Sequence, residues 1–293
     1  MQPRLILLDA DGVLWRGAEV IPQAPAFIRR AQAAGIRCVL VSNNAGPDRA
    51  AYLAKCLKLG LAFAEHDIFS VNYLAGPFIA QRYPDANVLV VGSEELTRSM
   101  REHCNVTSAE EWLAARGVPA LSTGHGRAVT PADMALIRHV RSDLVFVGID
   151  HNVNYLKLAL ACVAVQHGAG LIGANQDLTF PVEEGLLLPG NGASVRLIEC
   201  VTGAQARFIG KPESPLINQI ELETGCRRRE MVMVGDRIAT DIVFAQRAGV
   251  EAYLVLTGVT AAEAVPPNYT DATVAATLDD VARDLGLPEE QRR

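Results

Sequence analysis

The stretch LILLDADGVLW, residues 5–15, places two carboxylates, Asp9 and Asp11, directly after a run of apolar residues. A short continuous apolar run is typical of a strand that is buried on both faces of a parallel sheet. In open α/β sheets, ligands bind beyond the carboxyl ends of the strands. The stretch therefore predicts a buried first strand with a polar site at its end.

The rest of the chain alternates between strand and helix patterns. A strand pattern, RCVLVSNN at residues 37–44, follows a helix predicted over 24–34, and further strands and helices alternate toward the C-terminus. Such alternation predicts right-handed crossovers and an α/β fold with a doubly wound parallel sheet.

The composition and the net charge of the chain disfavour some classes of function. Of the 293 residues, 49% are hydrophobic, and the formal net charge is -6. This charge argues against a nucleic-acid or anionic-membrane partner, and the longest apolar runs, such as 158–165, are too short to span a bilayer. The six cysteines form no CxxC pair, which favours reduced thiols in a cytoplasmic protein.

Polar residues follow four predicted strands. If these strands are parallel neighbours, their ends lie on one edge of the sheet, and residues far apart in sequence meet in one crevice. The strand ends carry Asp9 with Asp11, then Ser42-Asn43-Asn44, then Lys211 in ARFIGKP, and finally Asp236 with Asp241 in GDRIATDI.

Four segments, DADGV, SNN, GKP and GDRIATDI, resemble the four motifs of the haloacid dehalogenase superfamily of phosphohydrolases. The branch that includes NagD-type and p-nitrophenyl phosphatases is the most similar, and the resemblance runs from Leu5 to about Gly258. It implies a Rossmann-like core that carries an inserted, smaller α/β cap. It also implies Mg²⁺-dependent hydrolysis of small phosphomonoesters through an aspartyl phosphate.

Phosphoryl transfer needs a positioned nucleophile, a proton donor and positive charge near the phosphate. Asp9 comes first off the strand and resembles the nucleophile of the family. Asp11, two residues later, suits the general acid and base. Lys211 would hold the phosphate and the nucleophile together as a point charge.

The predicted metal site consists of hard oxygen ligands. Asp9 and Asp236 would bind Mg²⁺ through their carboxylates, and Asp11 would bind it through its main-chain carbonyl, with water completing the shell. Asp241 would act through water or would orient its neighbours.

Spacing locates the predicted cap. Ser42 and Lys211 are 169 residues apart, which is far more than a single sheet requires. The surplus predicts a catalytic core over 1–83 and 185–293 and an inserted α/β cap over 84–184.

The predicted substrate contacts come from two places. The Ser42 hydroxyl and the Asn43 amide would donate hydrogen bonds to phosphate oxygens, with Asn44 acting more remotely. The segment GANQDLTFPVEEG, residues 173–185, resembles the cap segment of the family. This resemblance places Asn175 and Asp177 near the mouth of the site.

Two other functions stay open at the sequence level. A phosphomutase would share the aspartyl phosphate, and a regulatory protein could bind a phosphate ligand on the same fold without turnover. For a phosphatase and for a phosphomutase alike, the predicted partner is a small phosphorylated metabolite. The sequence does not identify this metabolite. The oligomeric state is also open, since caps of this type can form homodimer contacts.

Overall fold

Strands and helices alternate through the protein in a computed structural model, which describes residues 2–118, 129–181 and 186–289. The predicted α/β class is confirmed. Numbered along the chain, the strands are β1 Leu5–Asp9, β2 Trp15–Arg16, β3 Glu19–Val20, β4 Arg37–Ser42, β5 Ile68–Ser70, β6 Asn87–Val91, β7 Asn105–Ser108, β8 Leu144–Val147, β9 Gly170–Gly173, β10 Thr179–Pro181, β11 Leu187–Pro189, β12 Arg207–Phe208, β13 Met231–Gly235, β14 Glu251–Val255 and β15 Thr273–Ala275.

The helices lie between these strands, apart from the last, which follows β15. Among the described residues, none of them combines the length and the apolar character that a membrane crossing requires. The α-helices are α1 Ala24–Ala33, α2 Arg49–Lys58, α3 Val71–Arg82, α4 Glu94–Arg101, α5 Ala109–Ala114, α6 Pro131–Ile137, α7 Tyr155–Gln166, α8 Asn191–Thr202, α9 Pro215–Thr224, α10 Val243–Ala248 and α11 Leu278–Asp284.

Two compact units share the chain, and each has its own sheet and hydrophobic core. Contacts group the N-terminal strands with the C-terminal quarter of the chain, whereas the middle forms the other unit. The first unit comprises Met1–Asn43, Arg49–Ser70 and Gly210–Arg293, and the second comprises Asn44–Asp48 and Val71–Ile209.

The sheet of the first unit is parallel and has the strand order β15-β14-β13-β1-β4-β5 in the described residues. β1 lies between β13 and β4, with Leu8 paired to Val234 and Asp9 paired to Val41. Because these strands are parallel and in close register, their carboxyl ends lie side by side. The sheet therefore delivers the residues that follow β1, β4 and β13 to one edge.

Burial on both faces explains the apolar run of β1. Leu5 to Leu8 are fully buried. Ile6 and Leu8 pack into a cluster with Phe27 of α1 and Leu278 of α11. Burying each such side chain stabilises the fold by about 1.5–3 kcal/mol. This packing fixes the strand on which Asp9 is carried.

The second unit contains another parallel sheet, with the order β12-β9-β8-β6-β7 in the described residues. Its core gathers residues of α5 and α7, including Trp112, Leu156 and Leu160, against β6 and β8. A short antiparallel pair, β10 and β11, belongs to the same unit.

The strand that precedes Lys211 was expected in the first sheet, and this expectation is wrong. Arg207 of β12 pairs with Ile172 of β9, which places the strand in the second sheet. The reason is steric: a side chain on Gly173 would overlap the Phe208 ring, so this glycine makes room for β12 at the edge of that sheet. Lys211 therefore reaches its place without a core strand of its own.

The predicted boundaries of the inserted cap stay a prediction. Contacts assign α3 and α8 to the second unit, whereas the spacing argument placed both helices in the core. The predicted boundary at residues 184 and 185 lies outside the described residues.

Candidate active site

A buried ammonium group connects the strand ends of the first unit. The Lys211 side chain is 1% exposed, and its Nζ donates a hydrogen bond to Asp9 Oδ1. The same atom donates to Asp241 Oδ1 at 2.7 Å and to the Val41 carbonyl at 3.2 Å. One cation thus brings together the ends of β1 and β4 and the segment that follows β13.

Asn43 fixes the main chain of Lys211. Its Oδ1 accepts a hydrogen bond from the Lys211 N–H at 2.6 Å, and its Nδ2 donates to the Lys211 carbonyl at 3.0 Å. This reciprocal pair explains how a residue outside the core strands is held at the edge of the core sheet. The contact adds a positioning role that the sequence did not suggest, and phosphate binding by Asn43 stays a prediction.

Two aspartates after β13 complete an acidic cluster. Asp236 is fully buried, and its Oδ2 accepts the Val259 N–H at 2.6 Å. Asp241 Oδ2 accepts the main-chain N–H groups of Asp236 at 3.2 Å and Arg237 at 3.1 Å. One carboxylate oxygen from each of Asp9, Asp236 and Asp241 lies within 4.8 Å of the others. The predicted convergence of these motifs is therefore present in the structure.

The acidic cluster suits a hard divalent cation. Asp236 Oδ1 is buried and lacks a hydrogen-bond partner within the described residues. A buried carboxylate oxygen without a partner is costly, and carboxylate oxygens are the ligands that Mg²⁺ prefers. Asp9 and Asp236 can therefore hold such an ion.

Two glycines form a close-fitting cradle around Asp236. A Cβ on Gly12 or on Gly258 would overlap Asp236 Oδ2, and Gly12 also has a φ of +93° that disfavours other residues. The backbone can approach the carboxylate only because both positions lack side chains. The orientation of Asp236 is consequently set by its surroundings.

Burial dominates the electrostatics of the cluster. Burial, and then the charges of Asp241 and Asp236, raises the pKa of Asp9 well above its usual range despite the neighbouring Lys211. Burial and the Asp241 charge raise the pKa of Asp236 to about 7. For Lys211, burial acts against the charged form, but Asp241 and Asp9 raise its pKa above the ordinary value. A cation bound among these acids would relieve their repulsion.

Asp11 stands apart from the three clustered carboxylates. Its side chain is exposed, and Oδ1 accepts a hydrogen bond from Trp15 Nε1 at 2.9 Å. The Gly12 N–H donates to the Trp15 carbonyl at 2.7 Å and closes the turn. The side chain is thus accessible to a substrate, as an acid and base must be.

Ser42 ends β4 and is 3% exposed. Its hydroxyl lies 2.7 Å from the Tyr52 hydroxyl on α2. Sequence reasoning did not identify Tyr52, which only the packing of α2 brings near Ser42. It also missed Gly258 and Val259, although Thr257-Gly258 follows β14 with the same strand-end signal as the other motifs.

The other predicted site residues belong to the second unit. Asn175 is 6% exposed, and its Oδ1 accepts the Asp177 N–H at 3.0 Å. Asn44 Oδ1 accepts the Gly46 N–H at 2.9 Å. These are local turn contacts, and substrate binding by Asn44, Asn175 and Asp177 stays a prediction.

Known proteins resemble this chain in sequence and in fold. Residues 6–104 match the family described as haloacid dehalogenase-like hydrolase, and residues 208–281 match one described as HAD-hydrolase-like. The chain belongs to the haloacid dehalogenase-like hydrolases, and its class is that of the phosphoric monoester hydrolases. The family and enzyme class predicted from the sequence are thereby confirmed.

Individual relatives carry phosphatase names. The chain is 33% identical over 257 residues to 5'-nucleotidase YutF of Bacillus subtilis, and the match covers 88% of each chain. It is 35% identical over 267 residues to human glycerol-3-phosphate phosphatase, covering 87% of this chain and 79% of the relative. A single mutant of a thermostable NPPase from Geobacillus stearothermophilus has a TM-score of 0.77 at 30% identity, covering 95% of this chain and 98% of that one.

Proposed function

We propose that this enzyme hydrolyses small organic phosphomonoesters with Mg²⁺, through a phosphoryl group carried on Asp9. The observation that supports the proposal most is the placement of the Lys211 ammonium between Asp9 and Asp241, two acids that cluster with Asp236. Asp236 Oδ1 has no hydrogen-bond partner among the described residues. The names of two relatives, a 5'-nucleotidase and a glycerol-3-phosphate phosphatase, also point to small monoesters.

Hydrolysis would take two displacements at phosphorus. In the first, an Asp9 oxygen forms a bond to phosphorus, the ester P–O bond breaks, and Asp11 gives its proton to the leaving alkoxide. In the second, Asp11 takes a proton from water, the water oxygen bonds to phosphorus, and the Asp9–phosphorus bond breaks. The Lys211 charge lowers the repulsion between Asp9 and the phosphate in both displacements.

The Asp9 and Asp236 carboxylates and the Asp11 carbonyl would hold Mg²⁺. When bound, this ion would neutralise charge on the phosphate oxygens and orient the phosphate toward Asp9. Both oxygens of Asp241 already accept hydrogen bonds, from Lys211 and from main-chain N–H groups. These contacts support an orienting role for Asp241 over a direct metal bond.

The inserted segment, 84–184, would act as a cap that selects the leaving group, with Asn175 and Asp177 contacting the substrate. A homodimer through this cap and a cytoplasmic location are the further expectations from the sequence. A panel of nucleoside monophosphates, glycerol phosphate, sugar phosphates, phosphoglycolate and pyridoxal phosphate would rank the substrates by kcat/KM.

The test is hydrolysis of p-nitrophenyl phosphate. We expect turnover with Mg²⁺, its loss with EDTA, and its loss in Asp9→Asn, because an amide cannot form the acyl phosphate. Asp271→Asn makes the same chemical change at an exposed position of the first unit and should keep full activity. Mg²⁺-dependent turnover in Asp9→Asn would overturn the proposal.

The same assay separates the alternatives. A phosphomutase would transfer the phosphoryl group to a second hydroxyl and would release little inorganic phosphate. A regulatory protein would bind phosphate, visible as a rise in Tm, without turning over any ester in the panel.

A further inference from the structure

Trp15 contacts the proposed acid and base directly. The indole side chain is 1% exposed and is among the largest fully buried side chains of the protein. Its Nε1 donates to Asp11 Oδ1 at 2.9 Å. A buried N–H group needs a partner, since leaving it unsatisfied is costly. The hydrogen bond therefore limits the orientations that the Asp11 carboxylate can adopt.

Helix α2 holds the ring in place. The Lys55 Nζ lies 4.1 Å from the centroid of the Trp15 ring, a cation–π geometry. The Tyr52 ring, on the same helix, has its centroid 6.3 Å from that of Trp15 and is tilted by 30°. Trp15 and Tyr52 also share one hydrophobic cluster. The indole consequently has little freedom to turn its N–H away from Asp11.

The contact distinguishes the two oxygens of Asp11. Oδ1 accepts the indole N–H, whereas Oδ2 accepts no hydrogen bond from the part of the chain that the structure describes. A neutral carboxyl group carries its proton on one oxygen and accepts through the other. With Oδ1 occupied as an acceptor, Oδ2 is the oxygen available to carry the proton.

We propose that Trp15 is a positioning residue, which fixes Asp11 through Oδ1 so that Oδ2 exchanges the proton with the leaving group and with water. This inference rests on the proposed function, because it assumes that Asp11 is the acid and base. The proton moves from Asp11 Oδ2 to the leaving alkoxide as the ester bond breaks, and it returns from water in the second displacement. The indole N–H keeps its own proton throughout.

A positioning role has a kinetic signature that a purely structural role lacks. Proton donation matters most for a strongly basic leaving group, and p-nitrophenolate needs little of it. Loss of the indole N–H should therefore reduce kcat/KM in proportion to the pKa of the leaving group. A general loss of structure would instead reduce kcat/KM equally for all esters.

The experiment compares Trp15→Phe with the parent enzyme on p-nitrophenyl, phenyl and glycerol phosphates. We expect kcat/KM to fall by about tenfold on glycerol phosphate and to stay within about twofold on p-nitrophenyl phosphate. Trp112→Phe, which changes the other tryptophan of the chain, should leave the dependence on the leaving group unaltered. An equal fall for all three esters, or no fall, would overturn the positioning role.

A second pair of variants covers the case in which Trp15→Phe does not fold. Lys55→Met removes the cation that holds the ring, whereas Lys58→Met removes an exposed cation from the same helix. We expect the selective loss on glycerol phosphate in Lys55→Met and not in Lys58→Met. Equal behaviour of these two variants would also contradict the proposal.

Asp11→Asn separates this inference from the proposed function. If Asp11→Asn lacks the selective loss on glycerol phosphate, Asp11 is not the acid and both ideas fail. If Asp11→Asn shows the loss and Trp15→Phe does not, only the positioning role fails. Adding Trp15→Phe to Asp11→Asn should cause no further selective loss, because both changes act through one group.

Discussion

Each unit of the protein buries one lysine between two carboxylates, yet the two sites differ in charge and in the use of their oxygens. Lys211 contacts Asp9 and Asp241 in the first unit. Lys157 is 5% exposed in the second unit, where its Nζ lies 2.9 Å from Asp150 and 3.4 Å from Glu110. By burial and pairing alone, the two lysines would look alike.

The acids around each lysine reveal the difference. Beside Lys211, three carboxylates face one ammonium, which leaves a formal charge of -2, and Asp236 Oδ1 has no partner in the described chain. Beside Lys157, Asp150 uses both oxygens, since Oδ2 accepts from Lys157 and Oδ1 accepts the Asn152 N–H at 2.8 Å. A net negative charge and a carboxylate oxygen without a hydrogen-bond partner therefore indicate a site that can bind a cation. A buried lysine alone does not.

The largest difference between the two sites is expected when each lysine ammonium is removed. Lys211→Met should lower kcat on p-nitrophenyl phosphate by about 10³-fold, because the charge beside Asp9 is lost. Lys157→Met should keep kcat close to that of the parent but lower the free energy of unfolding by about 3–5 kcal/mol, because Asp150 is left buried without its partner. Steady-state kinetics and urea unfolding measure the two effects. A large loss of kcat in Lys157→Met would contradict the distinction.

Two glycines offer a smaller contrast. Gly258→Ala should lower kcat/KM by about a hundredfold, because the new methyl group would displace Asp236 Oδ2, the oxygen that accepts the Val259 N–H. In Gly148→Ala, the methyl group would overlap the end of the Leu96 side chain, a flexible group that can shift, and would touch Ala45 at ordinary contact distance. That variant should lose about 1–3 kcal/mol of stability and retain its kcat/KM. Comparable kinetics of the two variants would show that Asp236 tolerates displacement.

Mg²⁺ should stabilise the protein through the acids of the first site. At a concentration of about ten times Kd, we expect the ion to add about 1.4 kcal/mol to the free energy of unfolding near pH 7.5. Asp236→Asn should abolish this gain, whereas Asp150→Asn in the second unit should preserve it. Thermal unfolding with and without Mg²⁺ gives the measurement, and an undiminished gain in Asp236→Asn would rule out the predicted ligand.

The gain from Mg²⁺ should also depend on pH. Burial and Asp241 raise the pKa of Asp236 to about 7, above that of the unfolded chain. In the metal-free protein this raised pKa favours the protonated folded state, so its contribution is present at low pH and is lost as the pH rises toward 7. Mg²⁺ needs the deprotonated ligand, and its gain should therefore be smaller near pH 5.5 than near pH 7.5. Equal gains at both values would contradict a metal bond to Asp236.

The smallest effect is expected for Glu110, the exposed partner of Lys157. The Glu110 side chain is 45% exposed, so water and salt screen its charge. Glu110→Gln should change the free energy of unfolding by less than about 1 kcal/mol, with the difference shrinking at high salt. Asp150→Asn serves as the buried comparison and should cost clearly more.

The sequence predicted those parts of the fold that depend on local pattern. The apolar run of β1, the strand ends after β4 and β13 and the helix predicted over 24–34 all follow from the spacing of apolar residues, glycines and acids. The cluster of Asp9, Asp236 and Asp241 could be predicted because the parallel strands β1 and β13 bring their carboxyl ends to one edge. The same argument does not account for Lys211, because the strand that precedes it lies in the second sheet.

What the sequence could not predict depends on contacts across the chain. β12 lies in the second sheet because Gly173 makes room for Phe208, which is a packing choice between residues far apart in sequence. The amide of Asn43 binds the Lys211 main chain, a partner 168 residues away. The hydrogen bond from Trp15 to Asp11 is local in sequence. Its effect on the orientation of Asp11 depends on how α2 packs against the indole ring.

The Val259 N–H that holds Asp236 belongs to the main chain, and this has a consequence for mutational robustness. Nearly every substitution at position 259 preserves the donor, because only proline lacks an amide hydrogen. The side chain at position 259 can therefore vary during evolution without loss of the main-chain hydrogen bond that orients the Asp236 carboxylate.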